Sequence, residues 1–437
     1  MGLSAGPGAV TVSARCQGLL REVSAEILDA QRPIRVLRAL SWDGSVERAF
    51  FASGAVELPR PLYNIPRGEV TTSLERFREL KTRVMGDNGI ERFLRETCES
   101  FATAARMLLA VGTKDFYFHS AELYGRPESL SADRRTTNLD LARHFAQVVD
   151  GLVGHAHLSS PLDEQVLSAE EVAPELERRF AQSFPDRAIR VEIVDDIASK
   201  AAARIDVVQV KRGARFSRRD LLQLEHHEGH VHMATALNGR AQPLVPFVGY
   251  PSPRTTGTQE GLAVLTEFLT QSTGVERLRR LADRAIAIKM AEDGASFVDL
   301  YRFLRTGGYD EVSAYDSARR VCRGGLVEGG APFTKDICYL DGLLRVTNFL
   351  RVALVKGHID YVRLFFVGKI DVTDVPLFGR LREEGLVIDP RYVPAWARDL
   401  SYLTAFMSFT AFLGEIDLSE DRRRYDDLIA HAEVDLI

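Results

Sequence analysis

Residues 216–239 read FSRRDLLQLEHHEGHVHMATALNG, a stretch that combines strong helix-start signals with four histidines in seven positions. Ser217 can cap the first turn, Asp220 can complete a capping box, and Phe216 and Leu221 stand at the two positions of a hydrophobic staple. Asn238 and Gly239 tolerate the left-handed conformation and predict the end of the helix. His226, His227, Glu228, His230 and His232 therefore share one helix of roughly five turns. Two histidines one turn apart, with a Glu beside the first, can hold a zinc ion and a general base; the usual spacing is HExxH. From His227 to His232 this chain has HExxxH, one residue longer. On an ideal α-helix residues five apart point about 140° from each other, too far for both rings to reach one ion. A single π-bulge, for which Gly229 is the candidate position, would return them to one face. His226 and His230, at i and i+4, form the competing pair, but Glu228 would then point away from the metal. An isolated helical histidine is ordinarily a surface or core residue. Four so close together make a metal site the stronger expectation.

Working outward, two β-rich runs precede this helix, IRVEIVDD at 189–196 and RIDVVQV at 204–210, and predict two strands of a small sheet. Elsewhere the pattern is helical, as at Ser73 to Met85 and Gly89 to Val111, interrupted by a Pro-rich stretch at Leu58 to Gly68. The class is α+β, mostly α. A flexible tail is expected over 1–18, a mainly helical part over 19–186, and a core with a helical C-terminal part over 187–437, the two parts packed as one unit. The apolar run Leu403 to Leu413 is shorter than the ~20 residues a membrane span needs, so it predicts a buried helix. With 56 Lys plus Arg against 61 Asp plus Glu, the net charge of −5 argues against a nucleic-acid or anionic-membrane partner, since both demand a basic surface. Cys16, Cys98, Cys322 and Cys338 show no CxxC spacing, which fits a reducing compartment and a cytoplasmic location.

A catalytic zinc takes a third protein ligand and keeps one position for water. After the loop PLVPFVGYPSPRTTG, Thr258 can cap a helix TQEGLAVLTEFLTQ that places Glu260, Ala263, Val264 and Glu267 on one face. Small Gly261 and Ala263 would let this helix approach another closely. Glu260 is the candidate ligand, with Glu267 and Asn238 supporting the site from behind. The alternative is that the Glu face is simply solvated.

HHEGHVH, the Asn238–Gly239 pair and TQEGLA together resemble the QEGLA-motif family, to which the microtubule-associated tyrosine carboxypeptidases belong. The similarity extends to YGRP (Tyr124 to Pro127), RVCRGG (Arg320 to Gly325), FTKDICYLDG (Phe333 to Gly342) and FVGKI (Phe366 to Ile370), covering about residues 30 to 400. The resemblance implies a zinc metallopeptidase with a zincin-like core: His227, His232 and Glu260 as ligands, Glu228 as base, and His226 and His230 as neighbours. A carboxypeptidase also needs a cation for the substrate's terminal carboxylate, best an arginine. Arg320, Arg323 and Lys335 are the candidates, with Arg254 an outsider. Tyr339 can donate to an oxyanion. Lys335 and Asp336 could instead form a structural ion pair. The expected partner is a protein or peptide C-terminus bearing tyrosine or another bulky residue; no oligomeric state is implied. The alternatives are a zinc endopeptidase or aminopeptidase with the same ligands, and a non-catalytic protein with a structural metal.

Overall fold

The computed structural model describes residues 12–152, 160–195, 197, 199–204, 206–413, 417–421 and 423. Among these, three strands form one sheet: β1 (Arg190–Val194), β2 (Ala201–Arg204) and β3 (Val207–Lys211), in the order β1-β3-β2. β1 and β3 come from the two β-rich runs and pair in parallel, from Arg190 opposite Val207 to Val194 opposite Lys211. β2 is a strand the sequence pattern did not predict, since its Ala-Ala-Ala-Arg composition is poor in strand formers. It pairs antiparallel with β3 after a turn at Asp206, whose φ of 55° lies in the left-handed region. That places β2 at the edge of the sheet.

The histidine helix follows β3 and runs without a break from Arg218 to Arg240. Its start is as expected, with the Ser217 side chain accepting from the Asp220 N–H and the Asp220 carboxylate accepting from the Ser217 N–H. Its middle, Glu225–Met233, is wound as a π-helix, a longer departure than the single bulge expected at Gly229. The Ala234 N–H reaches the Gly229 carbonyl five residues back. Gly229 has a packing reason as well: a Cβ there would lie 2.4 Å from the Phe180 ring, on helix Ala169–Ser183. Phe180, Phe184, Val208, Val210, Phe216, Leu221, Met233 and Leu237 form one core joining that helix, the sheet and the histidine helix. The end of the helix differs from expectation, because Asn238 and Gly239 remain helical. Gly239 faces the Gly249 backbone, where a Cβ would meet the Gly249 nitrogen at 2.5 Å.

A second, larger core unites the N-terminal helices with those after residue 243. In it the Phe93 ring, on helix Gly89–Leu109, stacks on Phe247 at 5.6 Å and meets Phe378 edge-on. The expected helices of the first half occupy Arg67–Arg83 and Gly89–Leu109. At the N-terminus, residues 14–18 belong to helix Ala14–Ala30, capped by Ser13, and residues 1–11 of the expected tail lie outside the described residues. Helix Leu400–Leu413 is not buried as the run predicted: Leu403 and Met407 pack inward, while Phe409 and Phe412 are more than 60% exposed. No helix among the described residues is long and apolar enough to cross a membrane.

The QEGLA segment lies on helix Thr256–Leu269, which begins two residues before the expected cap. Thr258 stands inside it, donating to Asp371 at 3.1 Å and accepting from the Val372 N–H at 2.9 Å. Residues Gly257 to Glu267 are all buried, so the face carrying Glu260 and Glu267 is not a solvated one. The close approach expected from the small residues is made with helix Cys338–Val355. A Cβ on Gly261 would stand 2.0 Å from the Gly342 carbonyl carbon, and one on Gly342 would stand 1.9 Å from the Gly257 oxygen. Backbone thus lies on backbone, with no flexible side chain to give way. Gly261→Ala is expected to destabilise the fold by about 1–3 kcal/mol or more through overpacking, read as a lower midpoint in urea unfolding. An unchanged midpoint would show that the crossing tolerates a methyl group.

Candidate metal centre

Residues five apart on the histidine helix come side by side because π-winding widens the turn. The rings of His227 and His232 stand 4.8 Å apart at 84°, and both turn Nε2 toward Glu260 on the neighbouring helix. Glu260 Oε2 lies 3.5 Å from His227 Nε2 and 3.6 Å from His232 Nε2, and one ligand atom from each of the three residues falls within 4.8 Å of the others. Glu260 Oε2 is buried and has no hydrogen-bond partner, whereas Oε1 accepts from Lys335 Nζ at 2.8 Å. A buried carboxylate oxygen left unpaired against two imidazole nitrogens is costly in a purely structural cluster. Two nitrogens and one oxygen at this spacing are the donor set of a metal ion. The residues fit such an ion.

The electrostatics agree. Burial alone would depress the His227 pKa, but the facing Glu260 carboxylate and the hydrogen bond with Glu267, aided by the charge of nearby Glu228, push it up to about 10. Burial would raise Glu260, yet the Lys335 charge and the two histidines hold it well below the usual carboxylate range. The carboxylates thus favour positive charge at His227, and Glu260 stays anionic between the two histidines. Behind His227, Nδ1 meets Glu267 Oε1 at 2.7 Å, and Glu267 is held by Arg277 through two bonds of 3.0 Å and by Gln223 at 3.1 Å. Burial would lift Glu267 too, but the Arg277 guanidinium keeps it at about 2. Behind His232, Nδ1 faces Gln259 Oε1 at 3.5 Å, and the same oxygen accepts from Thr235 and Lys369. Burial pushes Lys369 down to about 8 against the charges of Glu228 and Glu260. Glu228 accepts from the Ala203 N–H of β2 at 2.7 Å, which ties the motif carboxylate to the sheet edge.

His226 and His230 form their own pair on another side of the helix, with Nδ1 atoms 2.9 Å apart and His230 Nε2 2.8 Å from the Ser183 hydroxyl. They lie away from Glu260, so the spacing ambiguity resolves with both pairs formed and one of them at the cluster. Asn238, expected to support the site, does something else. Its amide donates to the Phe366 and Tyr392 carbonyls and accepts from the Arg391 and Tyr392 N–H groups, clamping distant chain segments to the helix.

Of the expected basic residues, Arg320 makes a two-point ion pair with Asp336 at 2.7 and 2.8 Å and reaches the Tyr339 hydroxyl at 3.4 Å. Lys335 pairs with Glu260 and not with Asp336, because the two neighbours point apart at the start of helix Cys338–Val355. Arg254 is committed to Asp374 and Glu96. Arg323 is 6% exposed, stacks over Phe333 at 5.4 Å, has an unpaired Nε and makes no ion pair among the described residues. Burial and the like charge of Arg320 push its pKa down to about 10. Arg284 is also burdened, its Nη1 unpaired and Asp336 3.6 Å away, over the Tyr339 ring at 5.0 Å. Sequence reasoning missed Gln259, Arg277, Arg284 and Lys369. The first and last stand inside the QEGLA and FVGKI motifs, and Arg277 and Arg284 are seven apart on helix Val275–Glu292, a same-face spacing.

A three-residue cluster with a carboxylate on the intervening turn defines a candidate metal centre carried on helices and flanked by buried cations. The chain belongs to the microtubule-associated tyrosine carboxypeptidase family, whose model matches residues 48–415. Its family is thus one of carboxypeptidases. No curated protein matches it by sequence. Among solved structures it is similar to a lipoprotein of Colwellia psychrerythraea, at 12% identity over 91% of this chain and 77% of that one, with a TM-score of 0.38. It is also similar to the protein called BsuCP, at 12% identity over 90% and 98%, with a TM-score of 0.37. Likenesses at that level carry no argument about function.

The arginines separate by experiment. Arg320→Ala leaves Asp336 buried with only the longer Arg284 contact and is expected to destabilise the protein by about 3 kcal/mol. Arg323→Ala abandons no carboxylate and should lose clearly less. Equal losses in chemical denaturation would show that Arg323 is as structural as Arg320.

Proposed function

We propose that the protein is a zinc-dependent metallocarboxypeptidase that removes a C-terminal residue, tyrosine or another bulky one, from a protein or peptide. The observation that carries this is the unpaired, buried Glu260 Oε2 facing the two histidine nitrogens of HExxxH. His227, His232 and Glu260 would hold the ion. Once bound, zinc supplies an activated water and polarises the scissile carbonyl. Glu228 is the base: it takes a proton from the attacking water and delivers it to the leaving amine. The Ala203 N–H holds this carboxylate toward β2 and fixes one of its oxygens, leaving the other for the proton. Glu267 and Gln259 accept the Nδ1 protons of the histidines and so present Nε2 inward.

Of the three candidate carboxylate receptors, Arg323 is favoured, because Arg320 and Lys335 already neutralise Asp336 and Glu260. A buried guanidinium without an anion is poised for the substrate's terminal carboxylate. Tyr339, ringed by Arg277, Arg284 and Lys335, carries the hydroxyl that would donate to the developing oxyanion. The unpaired Arg323 favours an exopeptidase over an endopeptidase or aminopeptidase with the same ligands. A structural metal would want a fourth protein ligand, yet His230 is turned to His226 and Ser183, and Glu267 is occupied by His227 and Arg277. The microtubule association and tyrosine in the family's name make a tyrosine-ended peptide the first substrate to try.

Wild type and Glu228→Gln should each carry about one zinc per chain, and only wild type should release the terminal residue from a peptide library, as read by mass spectrometry. Amidated peptides should resist cleavage. Equal release by the two proteins would remove Glu228 from the mechanism. Zinc-free wild type under zinc-replete conditions would remove the site.

A further inference from the structure

Lys369 lies in the FVGKI stretch and is 9% exposed. Its ammonium contacts three neutral oxygens: the His232 carbonyl at 2.9 Å, Gln259 Oε1 at 3.1 Å and Thr235 Oγ1 at 3.4 Å. A buried lysine is ordinarily matched by a carboxylate, so its persistence against neutral acceptors needs a reason. The reason lies in the Gln259 amide. Two groups face Gln259 Oε1 with donors, Lys369 Nζ and His232 Nδ1 at 3.5 Å, and the Thr235 hydroxyl at 2.9 Å shares its single proton with the Val231 carbonyl at 2.7 Å, while Gln259 Nε2 is buried with no partner. An amide oriented by the threonine and histidine alone could turn over, since a hydroxyl and an imidazole can each accept as well as donate. An ammonium has donors only. Reversing the amide would set its NH2 against the Lys369 donors.

We propose that Lys369 is a positioning residue for the metal centre: it locks the Gln259 oxygen toward His232, which fixes the His232 proton on Nδ1 and leaves Nε2 free as a ligand. His227 gets the same result from Glu267, a carboxylate that accepts in either orientation and so needs no lock. Gln259 adds no negative charge behind His232, and the orientation it lacks by symmetry is supplied by Lys369. The inference rests on the zinc-site reading above.

Two effects of Lys369 on zinc have opposite signs, which makes the test decisive. If its charge alone matters, the ammonium repels a dication and Lys369→Met binds zinc more tightly. If it acts as the lock, Lys369→Met weakens binding by roughly 10- to 100-fold. Zinc affinity is read by competition with a chromophoric chelator on apo-protein whose circular dichroism matches wild type. Gln259→Met should lose as much, and Lys369→Met/Gln259→Met should be no weaker than either single variant, because both act through one bond. Affinity equal to or above wild type in Lys369→Met, or additive losses in the double variant, overturns the lock. A wild type that binds no zinc overturns the metal reading itself, a separate failure. Should the variants not fold, imidazole nitrogen NMR on the zinc-loaded wild type decides. A protonated Nδ1 with Nε2 on the metal at His232 is expected, and the reverse arrangement refutes the proposal.

Discussion

Everything at the centre depends on the π-winding of Glu225–Met233. An α-helix with this sequence would send His227 and His232 to different sides. The wider turn brings them together, while His226 and His230, four apart, are neighbours elsewhere on the helix, as they would be on an α-helix. π-winding is rare in isolation, so the surroundings must hold it. They do so through the fully buried Val231, through Phe180 pressed on Gly229, and through Ser183 receiving His230. Helix Ala169–Ser183 supplies two of these three supports and so helps to shape the centre.

The second constraint is the concentration of buried charge. Glu260, Glu267 and Asp336 lie among Arg277, Arg284, Arg320, Arg323 and Lys335, nearly all deeply buried. Ion pairs taken out of water rarely repay their desolvation, so such a gathering is poor evidence for stability and better evidence for a site. It is also unbalanced toward positive charge. The proposed terminal carboxylate would redress that balance, and a net charge of −5 does not forbid so local a basic pocket.

Much of this was legible where the information is local. The capping box of Ser217 and Asp220, the strands β1 and β3, and the need for a π-distortion between His227 and His232 all follow from residues within one or two turns of each other. The failures are long-range. Asn238 reads as a helix end, but its amide is claimed by carbonyls 128 and 154 residues away, so it stays helical. β2 has no strand composition and exists because β3 offers it an edge. The choice between a solvated and a buried Glu face depended on whether some helix would meet Gly261, and its partner Gly342 is not identifiable as such from sequence. Lys335 and Asp336 illustrate the limit most clearly: adjacent and opposite in charge, they point to different partners because the turn before helix Cys338–Val355 turns them apart.

The pairing of Lys335 with Glu260 has a chemical consequence. A carboxylate free at both oxygens can bind a metal through both and occupy a position that substrate or water needs. Lys335 engages Oε1, so Glu260 offers Oε2 alone. The same contact keeps Glu260 anionic despite its burial. Lys335 follows directly on the helix-crossing geometry, since it lies just before the helix whose Gly342 touches Gly261, one residue after Glu260. The backbone contact that brings the two helices together thus also fixes which oxygen of Glu260, the proposed third ligand, is left unpaired. A methyl group at the crossing would disturb the Lys335–Glu260 contact as well as the packing.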